Sequence, residues 1–265
     1  MKQRVTTAII ALLIFIPLLI IGGTPFNILV VAMGIVAMTE FVSMKKLFVV
    51  SPAAFISYFA IASLLVPRNW LNFLPAPANE SYIDLFFVFL LCLLAFTVMS
   101  KNMFSFDDAG ALILGAVYAG FGFHFMIQAR TESLWMLLYA LLIVWITDSG
   151  AYLIGRKIGK HKLAPKISPN KTWEGSIGGT LAAVIIVGIY VYMQQSVFKY
   201  NMPIMLVLTL IFSIGGQFGD LIESAFKRHY GVKDSGKILP GHGGILDRFD
   251  SLLFVLPLMH FAGLI

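Results

Sequence analysis

The chain has 265 residues, of which 59% are hydrophobic and 12% are charged, and its mean hydropathy is +0.89. A soluble domain carries about 25% charged residues, so this composition excludes an ordinary water-soluble protein. The 23 Phe residues beside 13 acidic residues also exclude a disordered chain. The composition therefore predicts an integral membrane protein.

Nine apolar stretches are long enough to cross a bilayer, since a spanning helix needs about 20 such residues. They lack the alternation of barrel strands, which favours an all-α fold. The first stretch follows two basic residues like a secretory signal, but it has the length of a full span and no small-residue cleavage site follows. We therefore interpret it as a retained helix. The predicted spans are residues 5–23, 26–44, 47–66, 83–100, 109–128, 133–154, 174–194, 203–222 and 245–264.

The basic residues predict how these spans are oriented, because cytoplasmic loops are enriched in Lys and Arg. If the N-terminus is cytoplasmic, all but three of the 19 Lys and Arg residues fall on the cytoplasmic side, the exceptions being Arg68, Arg130 and Lys199. An odd number of spans then places the C-terminus outside. Topology and attraction to anionic lipids account for the net charge of +6, so the charge does not indicate nucleic-acid binding.

Residues 1–130 are predicted to form an N-terminal packing region of five spans, and residues 131–265 a catalytic region of four spans. Glu40 is the only acidic residue well inside the first five spans. Its nearness to Lys45 and Lys46 favours either an ion pair or a side chain that extends to the membrane surface from the helix end. Small residues in the fifth span let helices approach closely, either within the chain or between two subunits. These are Ala111, Gly115, Ala116 and Gly120.

Five acidic residues fall at the predicted cytoplasmic ends of the sixth, eighth and ninth spans. Each charge at membrane depth costs at least about 2.5–3.5 kcal/mol, so such residues mark a functional site. Carboxylates at one level repel each other unless a cation holds them together. Asp220 with Glu223, and Asp247 with Asp250, are each three residues apart on a helix, so each pair points to one side. Such pairs suit Mg²⁺, a cation that prefers carboxylate oxygens. The five are Asp148, Asp220, Glu223, Asp247 and Asp250.

Two polar loops adjoin these acidic residues. The loop from Ser224 to Gly244 combines basic residues with glycines, which let the backbone approach a phosphate, and it leads directly into the ninth span. The loop that begins at Gly155 ends with hydroxyl, amide and ammonium donors before the seventh span. The alternative interpretation of that second loop, without a ligand, is a Pro-Asn turn followed by a helix cap. The residues concerned are Ser224, Lys227, Arg228, Lys233, His242, Gly243 and Gly244 in one loop, and Ser168, Asn170 and Lys171 in the other.

The segment from Ser224 to Asp250 resembles the signature of phosphatidate cytidylyltransferases (CDP-diacylglycerol synthases) over all 27 positions. The runs TDSGAYLIGR from Thr147 and SPNKTWEG from Ser168 are similar to the same family. This resemblance implies that Mg²⁺-dependent transfer of CMP from CTP to phosphatidic acid gives CDP-diacylglycerol and pyrophosphate. It also implies a helical fold with nine spans, a homodimer, and a bacterial inner (plasma) membrane with the site facing the cytoplasm.

The resemblance further implies a role for each residue of the motifs. Asp220 and Asp247 become the leading Mg²⁺ ligands. Glu223, Asp250 and Asp148 become supporting groups or ligands of a second cation. The other expected catalytic groups are Lys227, Arg228, Lys233 and His242, and the expected substrate-binding residues are Ser168, Asn170, Lys171, Ser224, Gly243, Gly244 and Arg248.

Three other functions fit parts of the sequence. A CTP-dependent lipid kinase would transfer the γ-phosphoryl group to a polyprenol, and its product would differ. An ion-coupled transporter would place acidic residues near the bilayer midplane, whereas these gather at one face. A structural membrane scaffold would leave the acidic cluster without a purpose.

Overall fold

A computed structural model of the protein describes residues 2–67, 70 and 82–265, so Arg68 lies outside the described residues. Within that part of the chain there are nine α-helices and one two-stranded sheet. The helices are α1 Lys2–Ile21, α2 Gly23–Met44, α3 Pro52–Leu65, α4 Tyr82–Met99, α5 Phe106–Glu132, α6 Leu134–Ile158, α7 Trp173–Met193, α8 Met202–His229 and α9 Leu246–Phe261, and the strands are β1 Lys162–Ala164 and β2 Ser168–Thr172.

Five of these helices, α2, α5, α6, α7 and α8, are long and apolar enough to cross a membrane. Helices α1, α3 and α4 contain shorter apolar segments. Many large apolar side chains point outward; Leu13 is 67% exposed and Ile185 is 64% exposed. Such apolar exteriors suit a lipid solvent, so the described chain has the character of a helical membrane protein. The count of nine spans and their orientation stay predictions.

The chain forms two compact units. The first consists of Met1–Ile127 and Asp234–Asp247, and the second of Gln128–Lys233 and Arg248–Ile265. The boundary after Ile127 lies close to the predicted division at residue 130. The structure differs from that division in one respect, because the segment Asp234–Asp247 belongs to the first unit.

The first unit is packed around α2, α3 and α5. A Cβ atom added to Gly115 of α5 would lie 2.9 Å from the Phe41 ring of α2, and one added to Gly120 would lie 2.6 Å from Leu64 of α3. Ala116, between them, is fully buried. The small residues of α5 therefore let α2 and α3 approach within the chain, and of the two predicted uses the structure supports intramolecular packing.

In the second unit, glycines form the contact between α6 and α7. A Cβ atom on Gly150 would lie 3.0 Å from the Cα atom of Gly179, and one on Gly155 would lie 3.4 Å from the Cα atom of Gly175. Close backbone approach of this kind is typical of helix pairs in membranes. It holds the end of α6 that carries Asp148 against the start of α7.

A chain of buried polar side chains joins α6, α7 and α8. The Gln217 side-chain amide donates to the Thr180 hydroxyl at 2.8 Å, and the Ser213 hydroxyl donates to the same oxygen at 3.1 Å. Thr147 and Ser213 are hydrogen-bonded at 2.7 Å. Because water is absent from a bilayer core, polar groups there must satisfy each other. This network fixes the register of the three helices.

We expect Gly179→Ala to destabilise the protein. The added Cβ atom would lie 2.5 Å from the carbonyl oxygen of Thr147 and 2.8 Å from the amide nitrogen of Ala151, and overpacking of this kind costs about 1–3 kcal/mol. The measurement is the thermal unfolding midpoint in detergent. Gly110→Ala is the matched control, because its Cβ atom would have no neighbour within 4 Å; equal midpoints for both variants would contradict this packing.

The connection between α6 and α7 is an antiparallel hairpin, with Lys162 opposite Thr172 and Ala164 opposite Ser168. The Thr172 hydroxyl then caps α7 by accepting the Gly175 N–H at 3.2 Å. The sequence analysis predicted a loop here, and it missed the strands because three to five residues are too few for a periodic pattern. The hairpin places Asn170 and Lys171 on a strand with a defined direction.

Candidate active site

Three acidic residues from different helices form an acidic cluster in the second unit. They are Asp148 on α6, Asp220 on α8 and Asp250 on α9, and Asp220 repels each of the other two electrostatically. Asp148 and Asp250 also repel each other. The three carboxylates therefore lie near enough to interact within this unit, and their role as metal ligands stays a prediction.

Cations and a hydroxyl group stabilise the acidic cluster. The ammonium group of Lys171 lies 2.6 Å from Asp220 Oδ2, and the Ser224 hydroxyl donates to Asp220 Oδ1 at 3.3 Å. Arg248 attracts Asp148, and Lys227 attracts Asp250. Negative and positive side chains therefore converge at this place. Such a mixture of charges suits a site that binds a cation together with an anionic phosphate.

Glu223 adjoins this cluster through Lys227, the lysine that also attracts Asp250. Its side chain is 1% exposed and forms an ion pair with Lys227 one turn along the same helix. The sequence analysis predicted that Glu223 and Asp220 form one metal-binding pair. In the structure the nearest cation to each carboxylate is a different lysine, Lys227 for Glu223 and Lys171 for Asp220.

Helix α8 continues to His229, well beyond the predicted end at residue 222. Ser224, Lys227 and Arg228 were predicted to lie in a loop, and that prediction was wrong, because all three are helical. Arg228 is exposed and donates from Nε to the Ile167 carbonyl at 3.2 Å. It thereby joins the end of α8 to the hairpin that precedes α7.

Asp247 lies in the first unit, at the start of α9. Its Oδ2 atom accepts hydrogen bonds from the Gly244 N–H at 2.7 Å and from the N–H and hydroxyl of Ser235 at 2.9 and 3.0 Å. Gly243 has φ +85°, and a Cβ atom there would collide with the Asp247 carboxylate. The glycines of this loop are therefore needed because the backbone wraps closely around Asp247. The predicted pairing of Asp247 with Asp220 stays a prediction.

Glu40 contacts the loop that holds Asp247, and the sequence did not predict this contact. It was predicted to pair with Lys45 or Lys46, but Lys45 pairs with Asp108 at 3.0 Å. The buried Glu40 carboxylate instead accepts hydrogen bonds from the loop that holds Asp247. The sequence does show an acidic residue within an otherwise apolar half of the chain, which indicates that it needs polar partners. The residues next to it in sequence do not indicate which partners these are.

The remaining predicted residues of this loop are His242 and Lys233. The His242 N–H donates to the Leu239 carbonyl at 2.8 Å, which closes a turn. His242 Nδ1 is buried and has no hydrogen-bond partner among the described residues. Lys233 lies in the segment that follows α8 in the second unit. It is exposed, so its charge is accessible to a ligand.

A pocket of about 400 Å³ opens in the second unit beside the acidic cluster. Asp148 of the cluster lines the pocket wall, and so does Lys171, which pairs with Asp220. Ser168, which was predicted to bind the same ligand as Asn170 and Lys171, is half-buried and does not line this pocket. The pocket is of a size typical of small-molecule sites. Its polar lining residues are Asp148, Tyr152, Arg156, Asn170, Lys171, Thr172, Ser176 and Gln217.

The acidic cluster fits a hard divalent cation in its donor chemistry. Mg²⁺ prefers carboxylate oxygens, water and phosphate oxygens over nitrogen or sulfur, and the cluster offers three carboxylates from three helices. Among the described residues, no three or more His, Cys, Asp or Glu side chains are arranged so that they could hold a metal ion by themselves. Because Mg²⁺ usually keeps waters and substrate phosphates as ligands, a partial protein set is compatible with it.

Comparison with known proteins gives a consistent result. The cytidylyltransferase family matches residues 2–265. A phosphatidate cytidylyltransferase of Staphylococcus haemolyticus (strain JCSC1435) is 46% identical over 260 residues, which cover 98% of each chain. Those of Staphylococcus aureus (strain COL) and Bacillus subtilis (strain 168) are both 47% identical, covering 98% of this chain and 98% and 97% of their own. With its acidic residues, hairpin and glycine loop in the places described, the chain belongs to the cytidylyltransferase family.

Proposed function

We propose that the protein is a phosphatidate cytidylyltransferase, which transfers CMP from CTP to phosphatidic acid and releases pyrophosphate. The observation that carries the proposal is the convergence of an acidic cluster and Lys171 beside a pocket of about 400 Å³. This arrangement matches a reaction between two anionic phosphates. The names and the full-length similarity of the bacterial relatives support the same substrates.

In the proposed reaction, a phosphate oxygen of phosphatidic acid attacks the α-phosphorus of CTP. A new P–O bond forms while the bond from the α-phosphorus to the bridging oxygen breaks, and pyrophosphate leaves with the electron pair. The attacking oxygen is already ionised, so no strong base is required. The protein then contributes positioning and neutralisation of charge. Arg156, Asn170 and Lys171 of the pocket are suited to hold phosphate oxygens of CTP.

We propose that Asp148, Asp220 and Asp250 hold Mg²⁺, which neutralises phosphate charge when it is bound. Asp247 and Glu223 remain predicted ligands from the sequence analysis, as does a second cation. The site is proposed to face the cytoplasm, on a bacterial plasma membrane with nine spans. This orientation suits a water-soluble nucleotide and follows the concentration of Lys and Arg in the loops near the site. A homodimer is proposed on the family resemblance.

The test of the proposed function uses CTP labelled at two positions. Purified protein is incubated with phosphatidic acid, a polyprenol, Mg²⁺ and CTP carrying label on either the α- or the γ-phosphate, and the lipid is extracted. Label from the α-phosphate in the lipid is expected, with none from the γ-phosphate. Label from the γ-phosphate alone would make the protein a lipid kinase. Label from neither would contradict both enzymes and favour a transporter.

Arg156→Gln is expected to raise KM for CTP about 10-fold, the effect of losing one hydrogen bond to a charged group. Arg156 lines the pocket, whereas the next residue, Lys157, is exposed and does not. Lys157→Gln removes the same charge one position away and serves as the matched control. Equal KM values for the two variants in steady-state assays would show that the CTP phosphates do not bind in this part of the pocket.

A further inference from the structure

Glu40 connects the N-terminal helices to the glycine loop of the first unit. Glu40 is 5% exposed. Both of its carboxylate oxygens accept hydrogen bonds from the loop or from the start of α9. Oε1 accepts the Ile245 N–H at 2.8 Å. Oε2 accepts the Leu246 N–H at 3.0 Å and the Ser235 hydroxyl at 2.9 Å.

The same hydroxyl group links Glu40 to Asp247. Ser235 Oγ lies 2.9 Å from Glu40 Oε2 and 3.0 Å from Asp247 Oδ2, and the Ser235 N–H also donates to Asp247. Asp247 is therefore held by a residue whose own position depends on Glu40. The two carboxylates are joined through one shared donor.

The glycines of the loop show how closely it surrounds the Glu40 carboxylate. A Cβ atom on Gly236 would lie 2.6 Å from Glu40 Oε1, and one on Gly244 would collide with the Glu40 carboxylate and with Ser235. Either substitution would force the loop away from Glu40. The loop is thus built around an acidic side chain supplied by α2.

We propose that Glu40 is a positioning residue for nucleotidyl transfer, acting by fixing the segment Asp234–Asp247 so that Asp247 keeps one orientation. The inference rests on the proposed function for its reaction, and on the hydrogen bonds above for its geometry. It assigns a part in the reaction to the N-terminal helices, which the sequence analysis treated as a packing region.

The chemistry requires a carboxylate at this position. Backbone N–H groups can only donate, so the oxygens facing Ile245 and Leu246 must both accept. A glutamine would turn its NH₂ group toward one of these donors, and a buried donor without an acceptor is costly. An aspartate would keep both oxygens but would be one methylene shorter. Both changes remove the contact pattern while keeping a polar side chain.

The experiment compares Glu40→Gln and Glu40→Asp with Asp108→Asn. Asp108 is an acidic residue of the same unit whose carboxylate is held by Lys45 and by the Ser105 N–H, so it serves as the matched control. For each variant we would measure kcat, KM for CTP and the Mg²⁺ concentration that gives half-maximal activity. Hydrogen exchange of the Ile245 and Leu246 amides, followed without Mg²⁺ or substrate, reports on the loop independently of activity.

For Glu40→Gln, kcat is expected to fall about 10- to 100-fold, the effect of a displacement of about 1 Å in a reacting group. KM for CTP should stay within about 2-fold, since the pocket residues are unchanged. The half-activating Mg²⁺ concentration should rise, and the two amides should exchange faster. Glu40→Asp should show the same changes to a smaller degree, and Asp108→Asn should show none of them.

Three outcomes would overturn the inference. One is a kcat within 2-fold of the parent protein. Another is faster amide exchange without any change in kcat, which would make the bonds structural only. The third is a loss of maximal rate that matches the unfolded fraction, with an unchanged Mg²⁺ midpoint in the remaining folded enzyme. Failure of the parent protein to form CDP-diacylglycerol would instead contradict the proposed function, whatever the Glu40 variants do.

Discussion

Asp220→Asn is expected to lower kcat for CDP-diacylglycerol formation by about 10²–10³-fold, the scale of removing one preorganised electrostatic group from an active site. Asp220 is the residue on which the acidic cluster converges, because it pairs with Lys171, accepts from Ser224 and interacts with both Asp148 and Asp250. Asparagine has nearly the same shape but no charge. Lys171 would lose its partner, and the proposed Mg²⁺ site would lose a ligand.

The measurement is the initial rate of lipid labelling from CTP, with the amount of folded protein checked by gel filtration. Asp107→Asn is the matched control, since Asp107 is an exposed acidic residue at the start of α5. Its rate should equal that of the parent protein. If Asp220→Asn retained more than about half of the parent rate, Asp220 would be a structural ion-pair residue of the kind found in many proteins.

Asp247→Asn is expected to reduce kcat to a similar degree, about 10²-fold or more, while leaving the loop folded. The donors on Oδ2 come from Gly244 and Ser235. The amide oxygen of asparagine has two lone pairs for the two backbone N–H groups, and the Ser235 hydroxyl can donate to Glu40 instead. The fold of the loop is thereby preserved, and only the charge and one oxygen are lost. The variant separates the chemical role of Asp247 from its role in shaping the loop.

The measurement pairs steady-state kinetics with hydrogen exchange of the Gly244 amide, whose bond to Asp247 is 2.7 Å long. Loss of activity with unchanged exchange is the expected result. Unchanged activity would mean that Asp247 serves only to shape the loop. Loss of activity together with fast exchange would mean that the loop requires the full carboxylate, and a chemical role would then be unsupported.

The acidic cluster illustrates what the sequence could predict. Asp148 and Asp220 were assigned to the same ends of their spans by hydropathy and loop charge alone. Helices that alternate across a membrane bring residues at the same level together, so their proximity followed from topology. Hydropathy did not predict the full helix lengths, because α8 keeps a helical backbone beyond its apolar part. Lys227 therefore pairs with Glu223 on the same helix.

Glu40 illustrates what the sequence could not predict. Local reasoning assigned it to Lys45 and Lys46, the nearest cations along the chain. Its partners lie 195 to 206 residues away. They are mostly backbone N–H groups, which nearly every residue type carries, so the residue types along the chain do not mark them. A contact between a side chain and a distant backbone leaves no pattern in a single chain. The hairpin before α7 was missed for a different reason, its short length.

The long reach of Glu40 has a consequence for how the protein is made. Ile245 follows Glu40 by 205 residues, and ribosomes add about 5–20 residues per second, so roughly 10–40 s of translation separate the acid from its donors. During that interval the nascent α2 carries a carboxylate whose final partners do not yet exist. The glycine contact between Gly150 and Gly179, by contrast, closes within 29 residues of chain. Closure of the loop around Glu40 can therefore occur only after Ile245 and Leu246 have been synthesised.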